Sequence, residues 1–155
     1  MNAQRTPLIA GNWKMHCIGA EATALAAGVR AGVASLSQRE VLLAPPFTIL
    51  DTVARALAGS RVLLAGQNLH WEPKGAFTGE VSAAMLRDVG CTHVIIGHSE
   101  RRQFFGETDE SVAKKVGAAQ AAGLVPIVCV GLAPTSGDIQ VAIDEADNGD
   151  RKSVV

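Results

Sequence analysis

The chain contains no tyrosine, and aromatic residues make up only 4% of its 155 positions. Its interior must therefore be aliphatic, built from Ala, Val, Leu and Ile. The 48% hydrophobic content supplies such a core and is too high for a disordered chain. Neither sign of charge dominates, with 14 Lys and Arg against 15 Asp and Glu, which argues against nucleic acid or an anionic membrane as partner. Cysteine is scarce. Cys17, Cys91 and Cys129 are widely spaced, form no CxxC and have no His at zinc-ligand spacing, so reduced thiols and no metal site are expected. Long apolar runs are also missing. The start, MNAQRTPLIAGNWKM, is interrupted by Asn12 and Lys14, and no segment is long enough to cross a bilayer. These absences lead to the expectation of one soluble, cytoplasmic domain.

What the sequence does contain is a regular alternation. Short runs rich in Val, Ile and Leu occur at 8–13, 41–45, 62–68, 93–97 and 125–131. None alternates strictly between apolar and polar, as a half-exposed antiparallel strand would. Amphipathic Ala-rich stretches at about 18–35, 47–58, 80–89 and 107–122 separate them and predict helices. Gly90 and Gly123 stand where helix ends are expected, and Thr108 or Asp109 where the last helix begins. The order βαβαβαβαβ predicts an α/β parallel sheet with right-handed crossovers, either doubly wound or closed as a barrel. In both architectures the chemistry collects at the carboxyl ends of the strands. The segment 132–155 differs in character, being rich in Asp and small polar residues and poor in core material. It reads as a poorly ordered tail following a domain at 1–131.

Two places put ionisable groups at strand ends. Asn12 and Lys14 lie two apart on the first predicted strand, hence on one face. Together they could hold an anion and oppose negative charge developing on oxygen, or be a turn-forming amide beside a surface lysine. His98 follows Gly97 at the end of the fourth run and could donate or accept a proton, polarise a carbonyl as a neutral ring, or cap the strand. Glu100 could be a general base or the ion-pair partner of Lys14 or an arginine. Cys129 reads as a small core hydrophobe. The glycines of GAFTGE match neither a dinucleotide-binding nor a P-loop spacing.

Taken together, AGNWKMH, APPF, GQNLHWEPKGAFTGEVSAAMLRDVGCTHVIIGHSERRQFFGETDE and PIVCVG closely resemble the triosephosphate isomerase family, from about Leu8 to Gly131. The resemblance implies an incomplete (β/α)8 TIM barrel of about five parallel strands with outer helices. It implies interconversion of dihydroxyacetone phosphate and D-glyceraldehyde 3-phosphate through an enediolate, in glycolysis and gluconeogenesis, with no cofactor and no metal. Lys14 and Asn12 would bind the phosphorylated triose. His98 would shuttle a proton between its oxygens as a neutral electrophile, which is the established behaviour of the family. Glu100 would be the further acidic group of the site. Loop 68–80 would enter the partner of a homodimer, with Thr78 near the partner's site.

The resemblance also has an edge. Barrels of this kind have eight βα units in roughly 250 residues. Where the family continues CVG with Glu, this chain has Leu132. The carboxylate base, the lid of loop six and the later phosphate-gripping loops have no counterpart in the quoted motifs, and Asp144, Glu145 and Asp147 lie in no family context. Activity far below that of a complete enzyme is expected. So are two unpaired sheet edges and an uncovered apolar face. The alternative is a truncated, inactive fragment that acts as a dimerisation partner.

Overall fold

The computed structural model describes residues 6–130 and the backbone of residues 153–154. Strand β1 (Leu8–Asn12) leads to helix α1 (Gly19–Gly32), and β2 (Glu40–Ala44) to a short 3-10 turn (Phe47–Ile49) and α2 (Leu50–Ala56). There follow β3 (Leu63–Gly66), α3 (Ala83–Asp88), β4 (His93–Ile96), α4 (Ser99–Phe105), α5 (Asp109–Ala121), β5 (Val125–Val128) and β6 (Ser153–Val154). The strands form one parallel sheet in the order β1-β2-β3-β4-β5-β6.

Both faces of this sheet are covered from β2 to β5, which explains why these strands read as continuous apolar runs, whereas Ile9 of β1 is 51% exposed. Leu43, Leu64, Val94 and Ile96 point to the outer layer and pack against Ala22, Ala26, Val53, Leu86 and Val112 of the helices. Leu42, Ala44, Ala65, Ile95 and Ile127 point the other way into a second cluster, joined by Leu8, Ala10 and Cys129. All five are at most 4% exposed, so these described residues do not form the expected uncovered apolar face. Helix and sheet approach closely at Gly66, where an added Cβ would lie 2.7 Å from Leu86 Cδ1. A side chain there would require the Leu86 side chain to move.

Helix ends follow the sequence signals. Gly90 and Gly123 take positive φ immediately after α3 and α5. Thr108 caps α5 in a reciprocal box with Ser111, and Ser82 caps α3. Two sequence expectations change. Helix α4 occupies residues read as a strand end and its loop. The sheet also gains β6, which pairs Ile127 with Ser153 and Val128 with Val154. The N–H groups of Val125 and Cys129 turn to β4, donating to Thr92 O and Ile96 O, both at 2.9 Å or less. The two-residue period therefore turns Pro126 and Val128 toward β6, and Pro126 has no N–H to offer. Of the groups expected to satisfy this edge (water, the tail or another chain), the tail supplies β6. The rest of 132–155, including Asp144, Glu145 and Asp147, lies outside the described residues.

Candidate active site

The site begins where β1 ends. Asn12 is the last residue of the strand, and Trp13 N–H donates to Ala44 O at 3.0 Å. Lys14 then adopts the left-handed backbone, with φ of 53°. For a non-glycine residue this costs about 1–3 kcal/mol and persists only where neighbours enforce it. Asn12 and Lys14 are therefore not adjacent positions on one strand face, as simple alternation predicts. Asn12 Oδ1 instead accepts the Lys14 N–H at 3.0 Å. On the far side of the residue, Gln67 Nε2 donates to Lys14 O at 2.9 Å.

The turn throws the lysine across the carboxyl rim of the sheet. Its Nζ lies 2.6 Å from Glu100 Oε1, in the first turn of α4, with both side chains about half exposed. The Lys14 hydrogen bond holds the Glu100 carboxyl below its ordinary value; partial desolvation opposes this, and the Lys14 and His98 charges add to it. Of the two readings of Glu100, the structure shows the ion pair with Lys14.

His98 is the N-cap of α4, and its Nδ1 accepts the Glu100 N–H at 3.2 Å. The same nitrogen is 3.5 Å from Glu100 Oε2. A ring whose Nδ1 accepts carries its neutral-state proton on Nε2, so Nε2 is the donor left for other work. One rim thus brings together Asn12, Lys14, His98 and Glu100, from the ends of β1 and β4.

Behind them lies a group that sequence reading missed. Glu107, with its side chain only 2% exposed, receives Arg101 Nε at 2.8 Å and Lys115 Nζ at 3.2 Å on Oε2. Its Oε1 accepts Gly97 N–H at 3.2 Å, and Lys115 also donates to Asn68 Oδ1 at 2.8 Å. Burial pushes the Lys115 ammonium pKa down, and the Glu107 charge and hydrogen bond resist that. A sequence signal existed: Lys115 falls on the buried stripe Val112, Lys115, Ala119 of α5. A lysine on such a stripe needs a buried anion.

Thr78 stands apart, in the exposed run 72–80. Among the described residues no hydrogen bond or ion pair joins it to Lys14 or His98. The root of its loop carries ring contacts. His70 stacks on Trp71 at a centroid distance of 4.3 Å and lies tilted against Phe77 at 4.1 Å, and Lys114 lies over Trp71 at 5.2 Å. Cys129 packs on the inner cluster, and desolvation raises its thiol pKa, in keeping with a small hydrophobe. Among the described residues no group of His, Cys, Asp and Glu is arranged to hold a metal, and no helix is long and apolar enough to cross a membrane.

A parallel sheet whose strands follow in sequential order, with helices outside and polar groups at its carboxyl rim, places the domain in the α/β-barrel class rather than among doubly wound sheets. The profile described as triosephosphate isomerase matches residues 7–144, past Gly131 where the quoted motifs end. The triosephosphate isomerase of Herpetosiphon aurantiacus is 49% identical over 151 residues, covering 97% of this chain and 57% of the relative. That of Pelobacter propionicus is 58% identical over 127 residues, covering 82% and 51%. The crystal structure of triosephosphate isomerase from Bartonella henselae superposes with a TM-score of 0.75 at 41% identity, covering 90% of this chain and 56% of that one. The chain belongs to the triosephosphate isomerase family. It spans about half the length of the curated relatives it matches.

Proposed function

We propose that the chain carries the substrate-binding and electrophilic half of a triosephosphate isomerase site. Lys14 holds a phosphorylated triose and opposes the charge that develops on the enediolate oxygen. Asn12 binds and orients the same substrate. His98 donates from Nε2 and moves a proton between the two substrate oxygens as dihydroxyacetone phosphate and D-glyceraldehyde 3-phosphate interconvert. Glu100 keeps the ammonium at the rim. No cofactor and no metal enter this scheme, and its setting is cytoplasmic glycolysis and gluconeogenesis.

The observation that carries the reading is the Glu100 N–H donated to His98 Nδ1, because it makes Nε2 the donor of a neutral ring. A coupled isomerase assay on monodisperse protein tests the scheme. Any rate should fall by about 10²–10⁴ in His98→Ala, as for loss of a general acid–base group, and also fall in Lys14→Ala. A rate that survives both substitutions comes from a contaminant and refutes the reading. Where no rate is measurable, adding dihydroxyacetone phosphate should still shift the NMR signals of His98. Signals that do not move count against it.

A second reading, a homodimer or dimerisation partner formed through loop 68–80 with Thr78 reaching the partner's site, is favoured by exposed apolar side chains. Met15 is 92% exposed, Ile18 72% and Phe77 42%. Light scattering on the chain, alone and mixed with a full-length family member at micromolar concentration, should show dimer mass. Monomer mass in both cases removes this reading.

A further inference from the structure

Gln67 follows β3 directly, and its side-chain nitrogen donates to two backbone carbonyls, Lys14 O at 2.9 Å and Ala44 O at 2.7 Å. A carbonyl oxygen can only accept, so the nitrogen of the carboxamide must face both, and both of its hydrogens are used. One carbonyl ends β2 and the other follows β1. Gln67 therefore ties three consecutive strand ends together at the rim where the site lies.

The residue it grips is unusual. Lys14 and Cys17 are the two non-glycine residues with positive φ among those described. At Lys14 the enforcing neighbours are identifiable: Asn12 Oδ1 takes its N–H and Gln67 Nε2 engages its C=O. The preceding peptide is held as well, since Trp13 N–H shares the Ala44 carbonyl with Gln67. With the backbone fixed on both sides, the side chain leaves in the direction that brings Nζ to Glu100.

We infer that Gln67 is a positioning residue for Lys14, its carboxamide locking the left-handed turn that aims the ammonium across the rim at Glu100. The inference rests on the reading of Lys14 as the substrate-binding cation and adds the residue that sets its direction. Gln67 touches no reacting atom in this role. A plain structural rivet between loops would affect folding stability but leave the Lys14–Glu100 contact intact.

The discriminating measurement is the titration midpoint of the Glu100 carboxyl, followed by carbon-13 NMR of the full chain with labelled glutamate side chains. Its charged neighbours are Lys14 and His98, and His98 is common to every variant. Lys14→Ala should raise the midpoint and marks complete loss of the contact. Gln67→Met, similar in length but without donors, should raise it toward the Lys14→Ala value. Gln67→Leu, which also lacks donors and adds no charge, should raise it as far and serves if the methionine variant does not fold. A folded Gln67 variant with the wild-type midpoint overturns the inference. So does a midpoint that Lys14→Ala fails to move, because the ammonium is then not aimed at Glu100. Adding dihydroxyacetone phosphate to the wild type separates the two claims. If the midpoints behave as expected but this ligand perturbs no site signal, the positioning role stands and the substrate reading fails.

Discussion

Glu107 accepts the N–H of Gly97 at 3.2 Å, so a buried carboxylate ten residues farther along the chain holds the Ile96–Gly97 peptide, one residue before His98. The same carboxylate compensates Arg101 and Lys115. Glu107→Gln keeps the shape but leaves two cations facing a neutral group. Breaking a buried pair this way should cost about 3–5 kcal/mol. A urea melt should show a lower midpoint at unchanged slope. Lys115→Met added to Glu107→Gln should recover part of the loss, and strict additivity of the two would exclude direct coupling.

Gly97 has a φ of 75°, and a Cβ built on it would stand 3.2 Å from both Cys129 O and Val112 Cγ2. Gly97→Ala therefore meets a conformational penalty of about 1–2 kcal/mol and a backbone contact that cannot swing away. Thermal unfolding should fall by several degrees, with displaced NMR signals for His98. A variant with the wild-type melting temperature would show that this turn tolerates a side chain.

His93 lies buried in β4, with Thr92 Oγ1 2.8 Å from its Nδ1. Desolvation lowers its pKa, against a smaller raising effect from Glu40. Below the ordinary imidazole pKa the unfolded chain binds a proton that the folded chain resists. This contribution to stability is therefore complete above about pH 6.5 and is lost as pH falls through the depressed native value. Chemical denaturation between pH 7.5 and 5 should show a loss that His93→Phe reduces. Equal acid sensitivity in both proteins would acquit His93.

Thr108 accepts the Ser111 N–H at 3.3 Å, and Ser111 Oγ accepts the Thr108 N–H at 3.0 Å. Thr108→Ala should cost about 1 kcal/mol, as lost caps do, with early fraying of the first turn of α5 visible by hydrogen exchange. Unchanged protection there would mean that α5 is held by packing alone.

The sheet was readable because β2 to β5 are buried on two faces, which turns Leu42, Leu43, Ala44 or Val94, Ile95, Ile96 into unbroken apolar runs. Thr108 and the glycines after α3 and α5 carried their own local signals. Helix α4 did not. Ser99–Phe105 has no apolar face, with none of its residues buried, and is held at its start by His98 and Arg102. Lys14 escaped for a related reason. Strand alternation applies only while the strand continues, and it stops at Asn12. Gln67 acts through backbone carbonyls, contacts that side-chain type alone does not announce, and Glu107 was signalled only indirectly, by a lysine on the buried stripe of α5.

The sequential order β1-β2-β3-β4-β5 has a consequence for how the protein is made. Every strand from β2 to β5 docks on the one translated just before it, so the loops to be closed stay short and their entropy cost modest. A nascent chain can lay down this sheet one βα unit at a time as it leaves the ribosome, with no strand among them waiting for a distant partner.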